Sequence, residues 1–520
     1  MLKLSPTVIL GAAALALLAG CGGSSPPANL PVEPPPVTPP PVDPPPPVNP
    51  PPVTPPPVEP PRTVQSLWYV CEKPRTGLDS NNLPFMDRQG TLRDELDWLR
   101  LYHEESYLWY RELPALRPAD YRNPLDYFAA LKTPMLTSAG HPKDRFHFTY
   151  PSAKWDAISK GEEFGYGVSW AKSEGGTAPR IWRVTMVQPG SAADQAGVRR
   201  GDQLQLVDGA DFMHTNDSAL LERINAALLP ARAGETHTFT LLRGSQTLRA
   251  EMTSSMLNLD PVRNVRILDT PDGKVGYLTF NNHNNAAEGA LVSAFTRLQQ
   301  AGVGDLVLDM RYNGGGLLLV ASELAYMIAG PQHTEGKVFE QTKANDKSKV
   351  QSPIMFRGKA VGLPGPEKVV AGQALPYLGL KRVMVLTGPG TCSASESVIN
   401  SLRGIDVEVV LLGGATCGKP YAFTPAANCG TTYFTIQYQG VNHKGFGDYG
   451  DGFTPSCPVA DDFSHELGDP QEGQLAAALR YKSSGTCSAP RSSRAQAAAL
   501  PQLVPVRSQM EEISVHTPPR

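Results

Sequence analysis

The sequence has little charge bias, no long apolar run and no metal-ligand motif, and each absence argues against a class of protein. Its 520 residues carry 47 Lys and Arg against 50 Asp and Glu, so no surface for nucleic acid is predicted. No CxxC pair or Cys/His cluster is present, and we expect neither a metal nor a cofactor. The apolar run near the N-terminus is too short to cross a bilayer as a stable helix.

Residues 1–21 are typical of a secretion signal. Lys3 precedes an apolar segment at 8–18, and small residues follow. The end of the signal, Leu18-Ala19-Gly20-Cys21, resembles the bacterial lipobox, which implies that Cys21 becomes lipidated. Gly22 stands where lipoproteins retained at the inner membrane have Asp. We therefore expect a lipid-anchored protein of the cell envelope, at the outer membrane and facing the periplasm or the cell surface. An ordinary signal peptide that happens to contain a cysteine is the alternative.

Proline is abundant, and its position explains its number. Many of the 51 prolines lie between Pro26 and Arg62, where Pro-Pro-Pro-Val units repeat. Such a tract forms polyproline II, because proline donates no backbone hydrogen bond. We interpret residues 22–66 as a semi-rigid linker that holds the following domains away from the lipid surface.

Six cysteines remain if Cys21 carries lipid. An even number in an exported protein favours disulfides, but six cysteines allow many pairings and the sequence does not choose among them. The six are Cys71, Cys392, Cys417, Cys429, Cys457 and Cys487.

Residues 67–160 predict a small helical cap. Leu92, Leu96, Leu99 and His103 recur at helical spacing, and an aromatic segment at 107–110 follows. We expect these aromatic side chains to pack on the next domain.

Short predicted strands and glycine-rich turns characterise residues 161–258. The segment Gly165-Tyr166-Gly167-Val168, with the turn motifs at 189–204, resembles a PDZ domain. The resemblance implies that Gly165, Tyr166, Gly167 and Val168 form a carboxylate-binding loop, whose glycines let backbone N–H groups converge on a peptide end. A helix predicted at 218–228 would flank the added peptide strand. A PDZ fold that binds no peptide is the alternative.

Residues 259–487 alternate strands and helices. Segments such as 306–310 and 407–412 are almost continuously apolar, which is typical of buried parallel strands. The predicted fold class is therefore α/β, with a core of βαβ units. The tail at 488–520, rich in Ser, Ala, Gln and Pro, is predicted to be disordered.

Ser393 lies in the segment 387–396, which joins a buried strand to a helix. A serine at a helix start lies among unpaired backbone N–H groups, which favour the negative charge of a tetrahedral intermediate. The segment alone leaves two interpretations open, since Ser393 and Ser395 are equally suited to be simple helix caps.

Lys419 follows a second buried strand. The glycines before it fit the spacing of a phosphate-binding loop, but Pro420 replaces the Ser or Thr that would hold magnesium, so no nucleotide is predicted. A partly desolvated lysine can be neutral and accept a proton, which is the preferred interpretation. The alternative is a solvated lysine in a turn.

Together these segments resemble the S41 peptidases, which include the C-terminal processing and tricorn-type proteases. Ser393-Ala394-Ser395-Glu396 matches their nucleophile motif, and Gly418-Lys419 matches their glycine–lysine pair. The segment 308–316 resembles their strand that ends in an Arg-x-Asn-x-Gly-Gly turn. The order of cap, PDZ domain and α/β core matches as well, over roughly residues 90–481.

The resemblance implies a crotonase/ClpP-like core in which Ser393 is the nucleophile and Lys419 is the general base and later the acid. Backbone N–H groups of Gly314 or Gly315, with that of Ala394, would form the oxyanion hole.

Phe423 departs from the pattern of the processing-type members, which have a glutamine there that orients the lysine. Thr416, Tyr421 or a backbone carbonyl could take that role, and the phenyl ring could exclude water instead. A histidine triad is the competing hypothesis, but His283 and His443 have no recognisable catalytic context.

We therefore predict a serine endopeptidase that cleaves protein or peptide substrates through a Ser393–Lys419 dyad after its PDZ domain binds a peptide end. The other predicted partner is a membrane, and neither nucleic acid nor nucleotide is expected. Two other hypotheses stay open: an inactive PDZ-containing lipoprotein that only binds peptides, and a structural envelope protein.

Overall fold

A computed structural model describes residues 61–79, 82–159, 162–173, 178–258, 260–349, 351–487 and 503–506. The predicted signal peptide, nearly all of the predicted linker and most of the predicted tail lie outside these residues. Within the described ranges, the helices are all too short or too polar to span a membrane.

The first region, residues 61–159, is mainly helical. It begins inside the predicted linker, because Thr63 caps a helix by accepting the Ser66 N–H at 3.1 Å. The linker prediction is therefore wrong for its last residues. The elements are α1 Val64–Leu67, β1 Val70–Cys71, β2 Arg88–Gln89, α2 Leu92–Ser106, two 3-10 turns at Tyr110–Glu112 and Pro118–Asp120, α3 Pro124–Ala130, β3 Phe148–Pro151 and α4 Ser152–Ser159.

The second region, residues 162–258, is β-rich. Its elements are β4 Glu162–Gly165, β5 Val168–Ser173, β6 Trp182–Val187, α5 Ala192–Gln195, β7 Gln203–Val207, β8 Ala210–Asp211, α6 Ser218–Leu228, β9 Thr236–Arg243, β10 Gln246–Thr253 and β11 Ser255–Asn258. An antiparallel sheet has the order β10-β9-β7-β6-β5, and α6 packs its Leu221 and Ile224 into the same hydrophobic core as Phe239. Strands β4 and β11 pair with each other where the chain enters and leaves this region.

The third region contains the α/β core. Its elements are β12 Val262–Thr270, β13 Gly273–Phe280, α7 Ala287–Gln300, β14 Asp305–Asp309, α8 Leu318–Ala329, α9 Pro331–Thr334, β15 Val338–Ala344, β16 Ile354–Met355, β17 Arg382–Thr387, α10 Ala394–Gly404, β18 Glu408–Gly413, β19 Tyr421–Ala422, β20 Ala426–Asn428, β21 Thr431–Phe434, β22 Tyr438–Val441, β23 Cys457–Pro458 and α11 Gly473–Ser484. A last strand, β24, spans Leu503–Pro505.

The predicted α/β class is confirmed. The central sheet has the order β12-β13-β14-β17-β18-β23, and its strands from β13 onward are parallel. Leu306 and Leu308 pack with α7, α8 and α10, whereas Val307 packs with α11, so β14 is covered on both faces. Because parallel strands point the same way, the loops after β14, β17 and β18 emerge at one edge of the sheet.

The helical cap and the α/β core are not separate in space. Strand β3 pairs with β21, and Cys71 forms a disulfide with Cys429. Trp98 of α2 packs against Tyr433 with ring centroids 5.6 Å apart. Residues 426–434 therefore return to the cap, which the sequence places before the core.

Part of the predicted tail has a defined structure. Strand β24 pairs antiparallel with β5, at the edge of the sheet in the second region. The prediction of disorder is therefore wrong for residues 503–506.

All six cysteines of the described residues form disulfides, as their even number suggested. The pairs are Cys71–Cys429, Cys392–Cys417 and Cys457–Cys487.

We expect loss of the Cys71–Cys429 disulfide to destabilise the fold more than loss of Cys457–Cys487. The sequence separations are 358 and 30 residues, and the entropy that a disulfide removes from the unfolded chain grows with loop length. Replacing both cysteines of a pair by Ser should lower the free energy of unfolding by about 6 kcal/mol for Cys71–Cys429 and by about 4 kcal/mol for Cys457–Cys487. Guanidinium denaturation under oxidising conditions measures both, and equal losses would contradict the explanation.

Candidate active site

Ser393 lies between β17 and α10, at the edge of the sheet where the strands end. Its backbone has φ 55° and ψ −118°, a left-handed conformation that is costly for a residue with a side chain. Ser393 is partly exposed, whereas its neighbours Cys392 and Ala394 are buried. The turn therefore presents one hydroxyl-bearing side chain from an otherwise buried loop.

The glycine turn after β14 lies against Ser393. A β-carbon on Gly315 would be 2.8 Å from Ser393 Cβ and 2.9 Å from Ala394 N, so the close approach requires glycine. The Ala394 N–H is the first of helix α10 and has no acceptor within the helix. The Gly315 N–H donates to Asn313 Oδ1 at 2.9 Å. This leaves the N–H groups of Gly314 and Ala394 as candidates for an oxyanion hole.

Buried ion pairs fix the start of this turn. Arg311 donates to Asp309 at 2.9 Å and to Glu472 at 2.7 Å, and all three side chains are buried. Burial raises the pKa of Asp309, although Arg311 opposes that effect. Arg311 also binds Asp461, which binds Arg200 of the second region at 2.5 Å. The turn is thus tied to both the sheet and the β-rich region.

Lys419 is only 2% exposed, and its Nζ faces three aromatic rings. The ring centroids lie 4.3 Å away for Phe423, 5.3 Å for Phe146 and 6.0 Å for Phe148. Two of these rings come from the helical cap, just before and within β3. The cap therefore builds part of the pocket of a lysine that belongs to the α/β core.

The two hydroxyl side chains suggested to orient Lys419 have other contacts. Thr416 donates to Glu396 at 2.6 Å and accepts the Phe453 N–H at 2.7 Å. Tyr421 packs edge-on against Trp109 with centroids 4.9 Å apart, and burial raises its pKa to about 12. Phe423 lies nearer to the amine than the other two rings do, which fits the interpretation that its phenyl group excludes water.

The Glu396 carboxylate joins the loops of Ser393 and Lys419. It accepts the backbone N–H of Ser393 at 3.0 Å and those of Gly418 and Lys419 at 2.8 Å, besides the Thr416 hydroxyl. Its side chain is fully buried, and burial raises its pKa against the effect of these hydrogen bonds. The capping-box spacing Ser-x-x-Glu is the sequence signal that could have predicted this role.

The Cys392–Cys417 disulfide is a second link between the same loops. It joins the residue before Ser393 to the second residue before Lys419. The Cys417 N–H also donates to the Thr391 carbonyl at 3.0 Å. A covalent bond and a hydrogen bond therefore hold the two loops at adjacent positions.

The two histidines have structural contacts. His283 is buried beside the glycine turn, where its backbone N–H donates to the Gly315 carbonyl at 3.1 Å. Its ring Nδ1 lies 3.1 Å from Asn313 Oδ1. Burial lowers the pKa of His283 to about 3, so the ring is neutral. His443 Nδ1 accepts the Val338 N–H at 3.3 Å, at the start of β15.

The candidate peptide-binding loop at 165–168 lies beside α6. Tyr166 is buried, and its hydroxyl donates to the Ala227 carbonyl of that helix at 2.8 Å. Gly167 has φ +79°, and its carbonyl accepts the Gln188 N–H at 2.7 Å. The loop leads directly into β5.

Comparison with known proteins supports the sequence motifs. Residues 274–434 match the model of peptidase family S41. A carboxyl-terminal-processing protease of Picosynechococcus is 33% identical over 242 residues, which are 46% of this chain and 51% of the relative. The chloroplastic carboxyl-terminal-processing peptidase 2 of Arabidopsis thaliana is 26% identical over 259 residues, 48% of each chain. The chain spans about half the length of the curated relatives it matches.

A solved structure shows the same architecture over a larger part of the chain. A Bacteroides fragilis protein assigned to the S41 proteases is 25% identical, with a TM-score of 0.57. The match covers 75% of this chain and 97% of that one. Residues 274–434 of this chain therefore match the S41 family of peptidases, and the chain is similar to the C-terminal processing proteases.

Proposed function

We propose that the protein is a serine endopeptidase in which Ser393 is the nucleophile and Lys419 the general base. The observation that carries this proposal is the double link between their loops, through Glu396 and through the Cys392–Cys417 disulfide, beside the glycine turn. The parallel βαβ units that carry these loops fit the crotonase/ClpP-like core that the resemblance implies.

The chemistry follows from these positions. The neutral amine of Lys419 takes the proton of the Ser393 hydroxyl as its oxygen attacks the substrate carbonyl carbon. The Gly314 and Ala394 N–H groups stabilise the oxyanion that forms. The Lys419 ammonium then protonates the leaving amine, and the neutral lysine activates the water that hydrolyses the acyl-enzyme. The rings of Phe423, Phe146 and Phe148 surround the amine and separate it from bulk water.

We propose that the second region is a PDZ domain that binds a peptide end. The glycine loop at 165–168 leads into β5, and Tyr166 places that loop beside α6. Strand addition needs both elements, since the strand supplies backbone hydrogen bonds and the helix closes the groove.

We propose that the protein lies in the cell envelope and is anchored by lipid on Cys21. The disulfides of the described residues support this, because disulfides persist in oxidising compartments. The signal peptide and the lipobox rest on the sequence.

Ser393→Ala should abolish peptide hydrolysis and leave the fold intact, since it removes one oxygen at a helix start. Lys419→Arg should be as inactive as Lys419→Ala, because arginine stays charged. Only a neutral lysine accepts the proton, so wild-type kcat should rise with pH. Turnover of a quenched-fluorescence peptide measures each variant, with the exposed-site changes Ser483→Ala and Lys381→Arg as controls. Near-normal turnover in either dyad variant would exclude that residue as a catalytic group.

Replacing Cys392 and Cys417 together by Ser should lower kcat by about 10²-fold, because a misplacement on the order of 1 Å has that effect on positioned groups. The matched control is the same double change at Cys457 and Cys487, outside the catalytic loops, which should keep kcat. Equal kcat in the two double variants and wild type would show that hydrogen bonds alone hold the loops.

Cys21→Ala should move the protein from the membrane fraction to the soluble fraction, because a lipid chain gives membrane affinity that this variant lacks. Fractionation with and without detergent measures this, and Ser24→Ala, a small change close to Cys21, serves as the control. Detergent-dependent extraction of Cys21→Ala would contradict the lipobox interpretation.

A further inference from the structure

The edge of the β-rich sheet at β5 is covered by the chain's own C-terminal segment. Leu503 pairs with Ser173 in antiparallel register, and the Val506 N–H donates to the Trp170 carbonyl at 2.8 Å. Val506 also packs against the hydrophobic core that contains Trp170. Residues 503–506 thus add one more strand to the sheet.

The direction of this segment is that of a peptide ligand. Strand β5 follows the candidate peptide-binding loop at 165–168. Because the pairing is antiparallel, the segment approaches that loop as it runs from Leu503 to Val506. A peptide captured by its carboxyl end would lie along β5 in the same direction. The segment differs from such a ligand in being internal, since residues 507–520 follow it.

The same segment also contacts the nucleophile loop. A β-carbon built on Gly390 would lie 2.6 Å from Pro505 Cγ, and Gly390 precedes Ser393 by three residues. Successive residues of a strand point to opposite faces, which explains how Val506 contacts the β-rich region while Pro505 contacts the peptidase loop. The segment therefore lies between β5 and the loop that carries Ser393.

We propose that residues 503–506 are an internal ligand that occupies the peptide-binding edge of β5 and competes with substrate. This inference rests on the proposed function, in that β5 must be the edge that substrates use. The occupant, Leu-Val-Pro-Val, is apolar and uncharged. The edge therefore accepts an extended apolar segment with a β-branched residue opposite Trp170, and it does not require a free carboxylate.

Competition follows from covalent attachment. A segment of the same chain binds at an effective concentration on the order of mM, whereas a substrate binds from dilute solution. A peptide reaches β5 only when the segment leaves it. The apparent affinity for peptides that use β5 is therefore lowered.

The test uses the full chain with Ser393→Ala, so that a bound peptide is not cleaved. A fluorescent peptide with the sequence of residues 499–510 is titrated, and its anisotropy gives the affinity. Adding Val506→Glu places a charge against an apolar core and should release the segment, so the peptide should bind about tenfold more tightly. The control Val515→Glu adds the same charge outside the paired residues and should leave the affinity unchanged.

A chain that ends at Cys487 is the second variant, because it removes the segment without a new charge. It should bind the peptide as tightly as Val506→Glu does. Equal affinity in all four proteins, or no binding in any of them, would overturn the inference.

With Ser393 intact, Val506→Glu should lower KM for an apolar peptide substrate about tenfold and keep kcat. If the wild type and Val506→Glu both turn over the substrate with the same KM, the internal-ligand proposal is overturned and the peptidase proposal stands. If neither protein turns over the substrate but Val506→Glu still binds the fluorescent peptide more tightly in the anisotropy titration, the peptidase proposal is overturned and the internal-ligand proposal is supported.

Discussion

The candidate site depends on one buried carboxylate. Glu396 has no exposed surface, and a charge there would be costly if its oxygens were not hydrogen-bonded. Three backbone N–H groups and the Thr416 hydroxyl supply these bonds, and the first turn of α10 adds the favourable end of the helix dipole. The donors come from the Ser393 loop and from the Lys419 loop. Satisfying one carboxylate therefore fixes the backbone of Ser393 relative to that of Lys419.

The cap has a direct role in this arrangement. Phe146 and Phe148 reach Lys419 because β3 pairs with β21 and because Cys71 is bonded to Cys429. Removing the cap would take away two of the three rings that bury the Lys419 amine. The cap therefore forms part of the immediate surroundings of the Lys419 amine and does not only stabilise the fold.

Much of the core could be predicted from the sequence because its signals are local. The apolar strand at 306–310 gave a clear pattern, and the structure places β14 there. The helix that the PDZ resemblance implied at 218–228 is α6. The motif around Ser393 and the glycine before Lys419 are also local. Their proximity depends on parallel strands that end at one edge of a sheet, which the βαβ pattern implies.

The features that could not be predicted are contacts between distant parts of the chain. No local pattern indicates that Cys392 pairs with Cys417, or that residues 426–434 return to the cap. The strand at Leu503–Pro505 and the Val506 that follows it form a run of four apolar residues. Such a run is too short to predict strand pairing by itself. Its place on β5 follows from an unpaired sheet edge, which only the folded protein presents.

The central claim is that Ser393 is a nucleophile activated by Lys419, and covalent labelling tests it most directly. A fluorophosphonate probe reacts with a serine only when a base activates the hydroxyl. The labelled peptide, identified by mass spectrometry, should carry the probe at Ser393 in the wild type, and labelling should be lost in Lys419→Ala. Labelling at another serine, or equal labelling of Ser393 in Lys419→Ala, would contradict this mechanism.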